Sequence, residues 1–168
     1  MQTFSNEIGL VQNPAIGAAA VWRFCCGFTR DVTASETPFA YAFLVLPIVF
    51  YERTLKPVLG TQRRTGLRGF ESKLTGNDAS KGSREDLFGI AERALALRKT
   101  TLEAISISLR SRLLLLNSTA GTLMPVTYTK KAVVGPSSSN ILDASEKLGF
   151  WFSQVSAFEL TRTLRVSL

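Results

Sequence analysis

The residues that could do chemistry are few in this 168-residue chain, because it contains no histidine. Histidine is the most frequent general base and metal ligand in proteins. Serine and threonine are plentiful, but no serine stands in a G-x-S-x-G turn. The glycine-rich loops that hold phosphates, G-x-x-x-x-G-K-[ST] and G-x-G-x-x-G, are also missing. The 13 acidic residues are scattered along the chain. We therefore expect no enzyme activity, no catalytic or metal-binding residues and no cofactor.

Cys25 and Cys26 are the only cysteines. Adjacent cysteines lack the spacing of a disulfide framework or of a metal site. Inside the apolar segment AVWRFCCGF they are typical of small buried side chains. This use of cysteine suits a reducing compartment, and we expect a cytoplasmic location.

Basic residues are the most informative charged side chains. The chain has 20 lysines and arginines against 13 acidic residues, a net charge of +7, and a pI of about 9.9. This balance favours an acidic partner, which could be a nucleic acid, an acidic protein surface or an anionic membrane. We predict that contact with DNA or with an acidic partner is made by Arg63, Arg64, Arg68, Lys73, Arg110 and Arg112.

Two apolar segments raise the question of a membrane protein, but both are short. Residues 15–28 are interrupted by Arg23, and residues 39–51 number only 13. A bilayer-spanning helix needs about 20 apolar residues. The first ten residues contain Glu7 and no basic stretch, unlike a secretory leader. We therefore expect two buried core elements and no membrane partner.

The first predicted element is a helix over residues 13–30. Asn13 can cap it, and Pro14 fits the first helical position. The helix is apolar on nearly every side. It is therefore either an ordinary central helix or a helix that is also buried against another subunit. We assign a partner interface to Trp22, Phe24, Phe28, Phe50 and Tyr51.

Residues 39–51, FAYAFLVLPIVFY, form a second apolar block. Thr37-Pro38 before it has the composition of a helix start, and Pro47 interrupts it. Because the block is uniformly apolar, its periodicity leaves two alternatives. We favour two short helices over a buried strand at residues 43–46.

Further helices and a hairpin follow. The patterns predict helices at residues 66–74, 84–98, 102–110 and 141–155, strands at 112–117 and 122–129, and a short strand in the tail after residue 159. Thr65 and Thr101 are predicted N-caps, and Leu95 and Leu102 are predicted to face the core. Pro125 is expected to confine its strand to an edge or a bulge.

Three short helices followed by a hairpin is the order of a winged helix-turn-helix. The predicted fold class is mainly α with a small β-hairpin (α+β), with a winged-helix-like core and a buried apolar N-terminal helix. We expect one domain over residues 1–168, with an N-terminal segment and helix over 1–37, the winged-helix-like core over 38–135, and a C-terminal helix and tail over 136–168. The helix in the recognition position offers only Ser106, Ser108 and Arg110 to bases, which favours protein docking over sequence readout.

Three stretches together resemble a known family: QNPAIGAAAVWRFCCGF, FAYAFLVLPIVFYERTLKPVL and KLGFWF. In this order, and in a chain of this size, they are similar to the middle component of bacterial three-component ABC-ATPase systems. The Lamassu-type antiphage and antiplasmid systems belong to that group. The resemblance covers residues 7–155, and Gln12 and Arg30-Asp31 depart from the family pattern.

The resemblance implies a non-catalytic bridging or regulatory subunit. Such a subunit links a coiled-coil ABC ATPase, similar to those of chromosome maintenance, to an effector such as a nuclease. Contact of the middle component with DNA would then be indirect or weak. The alternative is a free-standing winged-helix DNA-binding regulator, which strong, salt-sensitive binding of the isolated protein to duplex DNA would indicate.

Overall fold

The structure, a computed structural model, describes residues 13–30, 36–76, 84–126 and 136–168. Over these residues the chain is mainly helical with one small antiparallel sheet, as predicted. None of the described helices is both long enough and apolar enough to cross a membrane. The helices are α1 (Pro14–Thr29), α2 (Val45–Val49), α3 (Glu52–Gly60), α4 (Gly66–Thr75), α5 (Arg84–Ala96), α6 (Arg98–Arg110), α7 (Pro136–Ser153) and α8 (Ala157–Leu164). Two 3₁₀ turns span Phe39–Leu44 and Arg63–Thr65, and the strands are β1 (Thr37–Pro38), β2 (Leu114–Asn117) and β3 (Thr122–Pro125).

Helix α1 is the central helix of the fold. Its N-terminus is built as predicted: Oδ1 of Asn13 accepts a hydrogen bond from the N–H of Ala15 at 2.9 Å, and Pro14 takes the first position. Helices α6 and α7 both pack extensively on it. The apolar surface of α1 is thus buried within this chain, which is the first of the two alternatives that the sequence left open.

Two glycines allow α1 and α7 to cross at very short range. A Cβ atom on Gly27 would lie 2.0 Å from the carbonyl oxygen of Glu146, and one on Gly149 would lie 2.0 Å from the carbonyl oxygen of Phe24. Beside the crossing, the rings of Phe24 and Phe152 meet edge-on with their centroids 5.2 Å apart. Since any side chain would overlap the facing backbone, this crossing requires glycine on both helices.

The apolar block folds as two short helical segments, as favoured. The first 3₁₀ turn and α2 share it, and the alternative strand at residues 43–46 is wrong. Pro47 stands in the first turn of α2, where its missing N–H would have had no intrahelical acceptor. The predicted helix start at Thr37-Pro38 is also wrong, because these residues form β1 and pair with β3.

The sheet has the order β1-β3-β2, so β3 is its central strand. The expectation that Pro125 confines β3 to an edge is therefore wrong, and the register explains why. The N–H of Val126 donates to the carbonyl of Leu113 on the β2 side, so Pro125, one residue earlier, faces the β1 side. There the last pair among the described residues is Thr37 opposite Leu123. The missing N–H of Pro125 consequently falls beyond the last described pair.

One predicted helix cap and the predicted tail strand are wrong, and a second predicted cap lacks its hydrogen bond. Helix α6 begins at Arg98, so Thr101 is a buried helical residue and not a cap. Thr65 is the N-cap residue of α4, as predicted, but its side chain makes no capping hydrogen bond. The tail forms α8 and not a strand, because Ser156 caps it: its Oγ accepts from the N–H of Glu159 at 3.2 Å, half of an S-x-x-E capping box.

Two leucines lie outside the core, contrary to expectation. Leu95 is 76% exposed and Leu102 is 44% exposed, whereas Leu87 and Ile90 are the apolar residues that α5 buries. Helix α7 also begins five residues earlier than predicted, at Pro136. Residues 127–129 of the predicted second strand, and the N-terminal segment before residue 13, lie outside the described residues.

The helix in the predicted recognition position, α6, is joined to α5 through Leu97 alone. It buries Ala104 and Ile105, and Oγ of Ser108 donates to the carbonyl of Ala18 in α1 at 3.0 Å. Ser108 is fully buried, so it is not available to bases as predicted. The winged-helix assignment and the division of the chain into one domain stay predictions.

Cys25 and Cys26 are both buried, as predicted, and neither is in a disulfide. Burial raises the pKa of each thiol to about 12.

We expect neither thiol to react with a thiol reagent at neutral pH in the native protein, and both to react in denaturant. The unfolded thiols ionise near pH 9.0 while the folded ones stay protonated. Stability should therefore fall as pH rises from that value towards about 12. Rapid labelling of the native protein would contradict this assignment.

Candidate protein-docking faces

The late segment KLGFWF lies in α7 and fixes the end of α3. Nζ of Lys147 donates to the carbonyls of Val58, Leu59 and Thr61 at 3.1, 3.0 and 2.9 Å. Carbonyls at a helix C-terminus have no partner within the helix and favour a cation. Burial lowers the pKa of Lys147, and the nearby Lys73 lowers it further. Lys147 thus joins α7 to a segment that lies far away in the sequence.

The same segment holds the second 3₁₀ turn. Nε1 of Trp151 donates to the carbonyl of Arg63 at 2.9 Å, and the Arg63 guanidinium lies 4.0 Å from the ring centroid of Phe150. Stacking on an aromatic ring restricts the side chain of an arginine. Arg63, which the sequence predicted as a contact for DNA or an acidic partner, therefore packs on the surface of its own chain.

The residues predicted to contact a partner lie mostly in the core. Relative exposure is 3% for Trp22, 0% for Phe24, 6% for Phe28 and 6% for Phe50. Tyr51 is partly buried, with the guanidinium of Arg93 lying 4.5 Å from its ring centroid. The first three side chains are covered because α6 and α7 pack on α1. The described chain therefore leaves little of these four aromatic side chains accessible, and their assignment to a partner interface stays a prediction.

The six basic residues of the sequence prediction occupy two separate places. Four lie on the second 3₁₀ turn and α4, which packs on α3, α5, α7 and α8. The other two, Arg110 and Arg112, are exposed at the end of α6 and just before β2. Within the first group, Lys73 donates a hydrogen bond to the carbonyl of Gly60 and so caps the C-terminus of α3. The six residues therefore do not form one continuous patch.

Two arginines that the sequence prediction missed complete a surface that we call the basic face. It consists of Arg64 and Arg68 together with Arg162 and Arg165, which α8 and its C-cap supply. Arg68, Arg162 and Arg165 line a depression of about 560 Å³ between α4 and α8. Arg64 lines a second depression that adjoins the first. The capping box at the start of α8 was the sequence signal that would have placed Arg162 on a helix and Arg165 near its end.

The basic face also contains carboxylates. Arg68 forms an ion pair with Glu159 at 2.9 Å, and Glu71 lines the same depression. The Arg68 side chain is nevertheless 79% exposed. Four arginines against two glutamates leave the face positive, so it favours an acidic surface.

A second surface, which we call the apolar groove, has a volume of about 670 Å³. The first 3₁₀ turn, α5 and the C-terminal residues line it, and Phe39 and Phe43 stack edge-on in its wall with their centroids 5.6 Å apart. Its charged lining residues are Arg98 and Arg165, and neither an aspartate nor a glutamate of the described ranges lines it. The full lining is Phe39, Ala40, Phe43, Leu44, Ala91, Ala94, Leu95, Arg98, Arg165, Val166, Ser167 and Leu168.

Both surfaces are suited to binding. Arginine side chains bind carboxylates with paired hydrogen bonds, and an exposed apolar groove gains free energy when a partner covers it. Within the ranges that the structure describes, no three cysteine, aspartate or glutamate side chains come together as metal ligands would.

Over residues 1–168 the sequence matches the family described as the ABC-three component (ABC-3C) system Middle Component 3. The chain belongs to this family. No curated protein and no solved structure matched this middle component. The family description names a three-component ABC system, and so it implies that the partners of this middle component are the ABC components of the same system. It names neither the Lamassu-type systems nor an effector.

Proposed function

We propose that this middle component is a non-catalytic bridging subunit that holds the ABC ATPase of its system and an effector in one complex. The observation that carries this proposal is the family match along the whole sequence. Two properties of the chain support it. The sequence has no histidine and no phosphate-binding loop, and the described surface offers an apolar groove and a cluster of arginines.

The finer proposal follows the resemblance in the sequence. The complex is an antiphage or antiplasmid defence of the Lamassu type, its ATPase carries a coiled coil like those of chromosome-maintenance proteins, and its effector is an enzyme such as a nuclease. The middle component acts in the cytoplasm without a cofactor. Its own contact with DNA is weak or indirect, and the ATPase makes the main contact.

Co-expression tests the bridging function directly. A tagged middle component is expressed with the two other components of its system, and the complex is purified by affinity and gel filtration. We expect all three to elute together, and we expect the ATPase and the third component to separate when the middle component is left out. Equal association of those two without the middle component would contradict the proposal.

Charge reversal on the basic face should slow assembly. Arg162 is exposed and makes no ion pair with the described residues, so Arg162→Glu changes the charge of the face at a cost to the fold of about 0.3–1 kcal/mol, since the glutamate stands in the last turn of α8. We expect the association rate with the ATPase component to fall by about 3- to 10-fold at low salt, because exposed interface charges act mainly through electrostatic steering. The difference from the wild type should shrink as salt is added.

The control for this variant is Lys99→Glu, which makes the same charge change on α6. Lys99 is 90% exposed and only weakly paired with Glu103 at 3.9 Å. Biolayer interferometry compares the two variants, and equal rates would remove the basic face from assembly. If the isolated chain instead binds duplex DNA tightly and Arg162→Glu lowers its salt slope by about 1, the DNA-binding regulator becomes the better explanation.

A further inference from the structure

We propose that the apolar groove is the docking site for an amphipathic helix of a partner component, with apolar side chains on its inner face and carboxylates beside them. This proposal rests on the proposed bridging function, and it names the chemistry of the element that the middle component holds.

The exposed apolar side chains of the groove are the first observation. Leu95 is 76% exposed and Leu168 is 50% exposed, although both are large and apolar. Phe39 and Phe43, which line the same groove, are only partly buried. Isolated exposed leucines are common, but a cluster of apolar side chains in a concave surface beside charged residues marks an interaction site.

The charge of the groove is the second observation. Arg98 begins α6 and Arg165 ends α8, and both are exposed beside the apolar lining. Neither makes an ion pair with the residues that the structure describes, and the lining offers no side-chain carboxylate from those residues. Carboxylates on the occupant would pair with both arginines. This pairing would fix the position of the bound helix along the groove and disfavour basic partners.

The walls of the groove determine the conformation of the occupant. They are largely helical: the first 3₁₀ turn and α5, whose backbone groups bond mainly within their own helices, form most of the lining, and only residues 165–168 lie outside a helix. An extended peptide in such a groove would lose water from most of its backbone groups and find few new partners. A helix satisfies its backbone internally and can place apolar side chains in the groove at intervals of three and four residues. The outer edge of β2, where a strand could add, does not line this groove.

The first experiment changes the apolar wall. Leu95→Lys places a charge in the groove, and because Leu95 is exposed and near the C-terminus of α5, a lysine there leaves the helix stable. We expect the affinity of the purified middle component for its partner component to fall by at least about tenfold, the effect of losing an interface hot spot. The matched control is Leu102→Lys on α6, an exposed leucine outside the groove, and it should bind like the wild type.

The second experiment changes the charge and identifies the occupant. Arg98→Glu reverses one groove arginine, and a glutamate suits the first turn of α6, so the fold is retained. We expect weaker partner binding than with the control Lys99→Glu on the same turn. Replacement of Leu95 by the photo-crosslinking residue benzoylphenylalanine in the purified complex should then link to one partner segment, which mass spectrometry identifies. The proposal requires that segment to be helical, apolar on one face and acidic.

The outcomes separate this proposal from the bridging function. If the wild type assembles and Leu95→Lys binds equally well, or if the cross-linked segment lacks acidic residues, the groove proposal is wrong and the bridging function stands. If the wild type does not associate with the other components, the bridging function is wrong and the groove proposal is rejected with it. Loss of binding in Leu95→Lys and Arg98→Glu but not in their controls, with melting temperatures unchanged, supports the groove.

Discussion

Gly149→Ala should destabilise the protein by about 3 kcal/mol, although alanine normally stabilises the interior of a helix by about 1 kcal/mol relative to glycine. The opposite sign is expected because the new Cβ would lie 2.0 Å from the carbonyl oxygen of Phe24, whereas ordinary contacts are 3.4–4 Å long. Helices α1 and α7 would have to separate, and the packing around Phe24 and Phe152 would open. Urea unfolding followed by circular dichroism measures the loss.

The control for this variant is Gly60→Ala, at the last position of α3. Among the described residues its Cβ would meet Nζ of Lys73 at 3.3 Å, and that flexible side chain can shift by a few tenths of an ångström and still donate to the carbonyl of Gly60. Gly60 needs no left-handed backbone, so alanine should be neutral or slightly stabilising. If Gly149→Ala is as stable as Gly60→Ala, the two helices do not cross at the distance described.

Lys147→Met should destabilise the protein by about 2–4 kcal/mol. Methionine has a similar length but no donor, so the carbonyls of Val58, Leu59 and Thr61 lose their shared partner. Val58 and Thr61 are buried, so water cannot readily replace the lysine. The cost is that of leaving carbonyl groups unsatisfied, and it is larger than the loss of one exposed hydrogen bond. We expect the midpoint of urea unfolding to fall in proportion.

Lys56→Met is the matched control for this variant. Lys56 is also close to the end of α3, but its side chain is 70% exposed, and Glu52 is its only ion-pair partner among the described residues. Exposed pairs of this kind contribute about 0.5 kcal/mol or less. Equal stability of the two variants would mean that Lys147 is an ordinary surface lysine. A large loss for Lys147→Met alone would confirm that it holds α3 against α7.

Local signals in the sequence predicted a large part of the fold. Asn13 and Pro14 located the start of α1, and Pro47 divided the apolar block, because caps and prolines act within a few residues. The turn between β2 and β3 was also predicted, and Gly121 supplies the positive φ of 65° that it needs. The capping box of α8 was equally local and was overlooked.

Other features could not be predicted, because they depend on distant parts of the chain. The apolar residues of α5 form one broad face, and the positions of neighbouring helices decide that Leu87 is buried while Leu95 is not. Lys147 has the sequence context of a surface lysine, yet its hydrogen-bond partners are 86 to 89 residues away. The buried aromatic residues of α1 were assigned to a partner because the sequence does not show which helix covers them.

The position of Arg165 has a consequence for how two ligands would share this protein. Arg165 lines both the apolar groove and the depression of the basic face. One arginine can form a close bidentate pair with only one carboxylate at a time. An acidic ligand in the groove and an acidic ligand on the basic face would therefore compete for this cation, each weakening the other by the same free energy. Negative cooperativity between two partners would then depend on a single residue just past the end of the last helix.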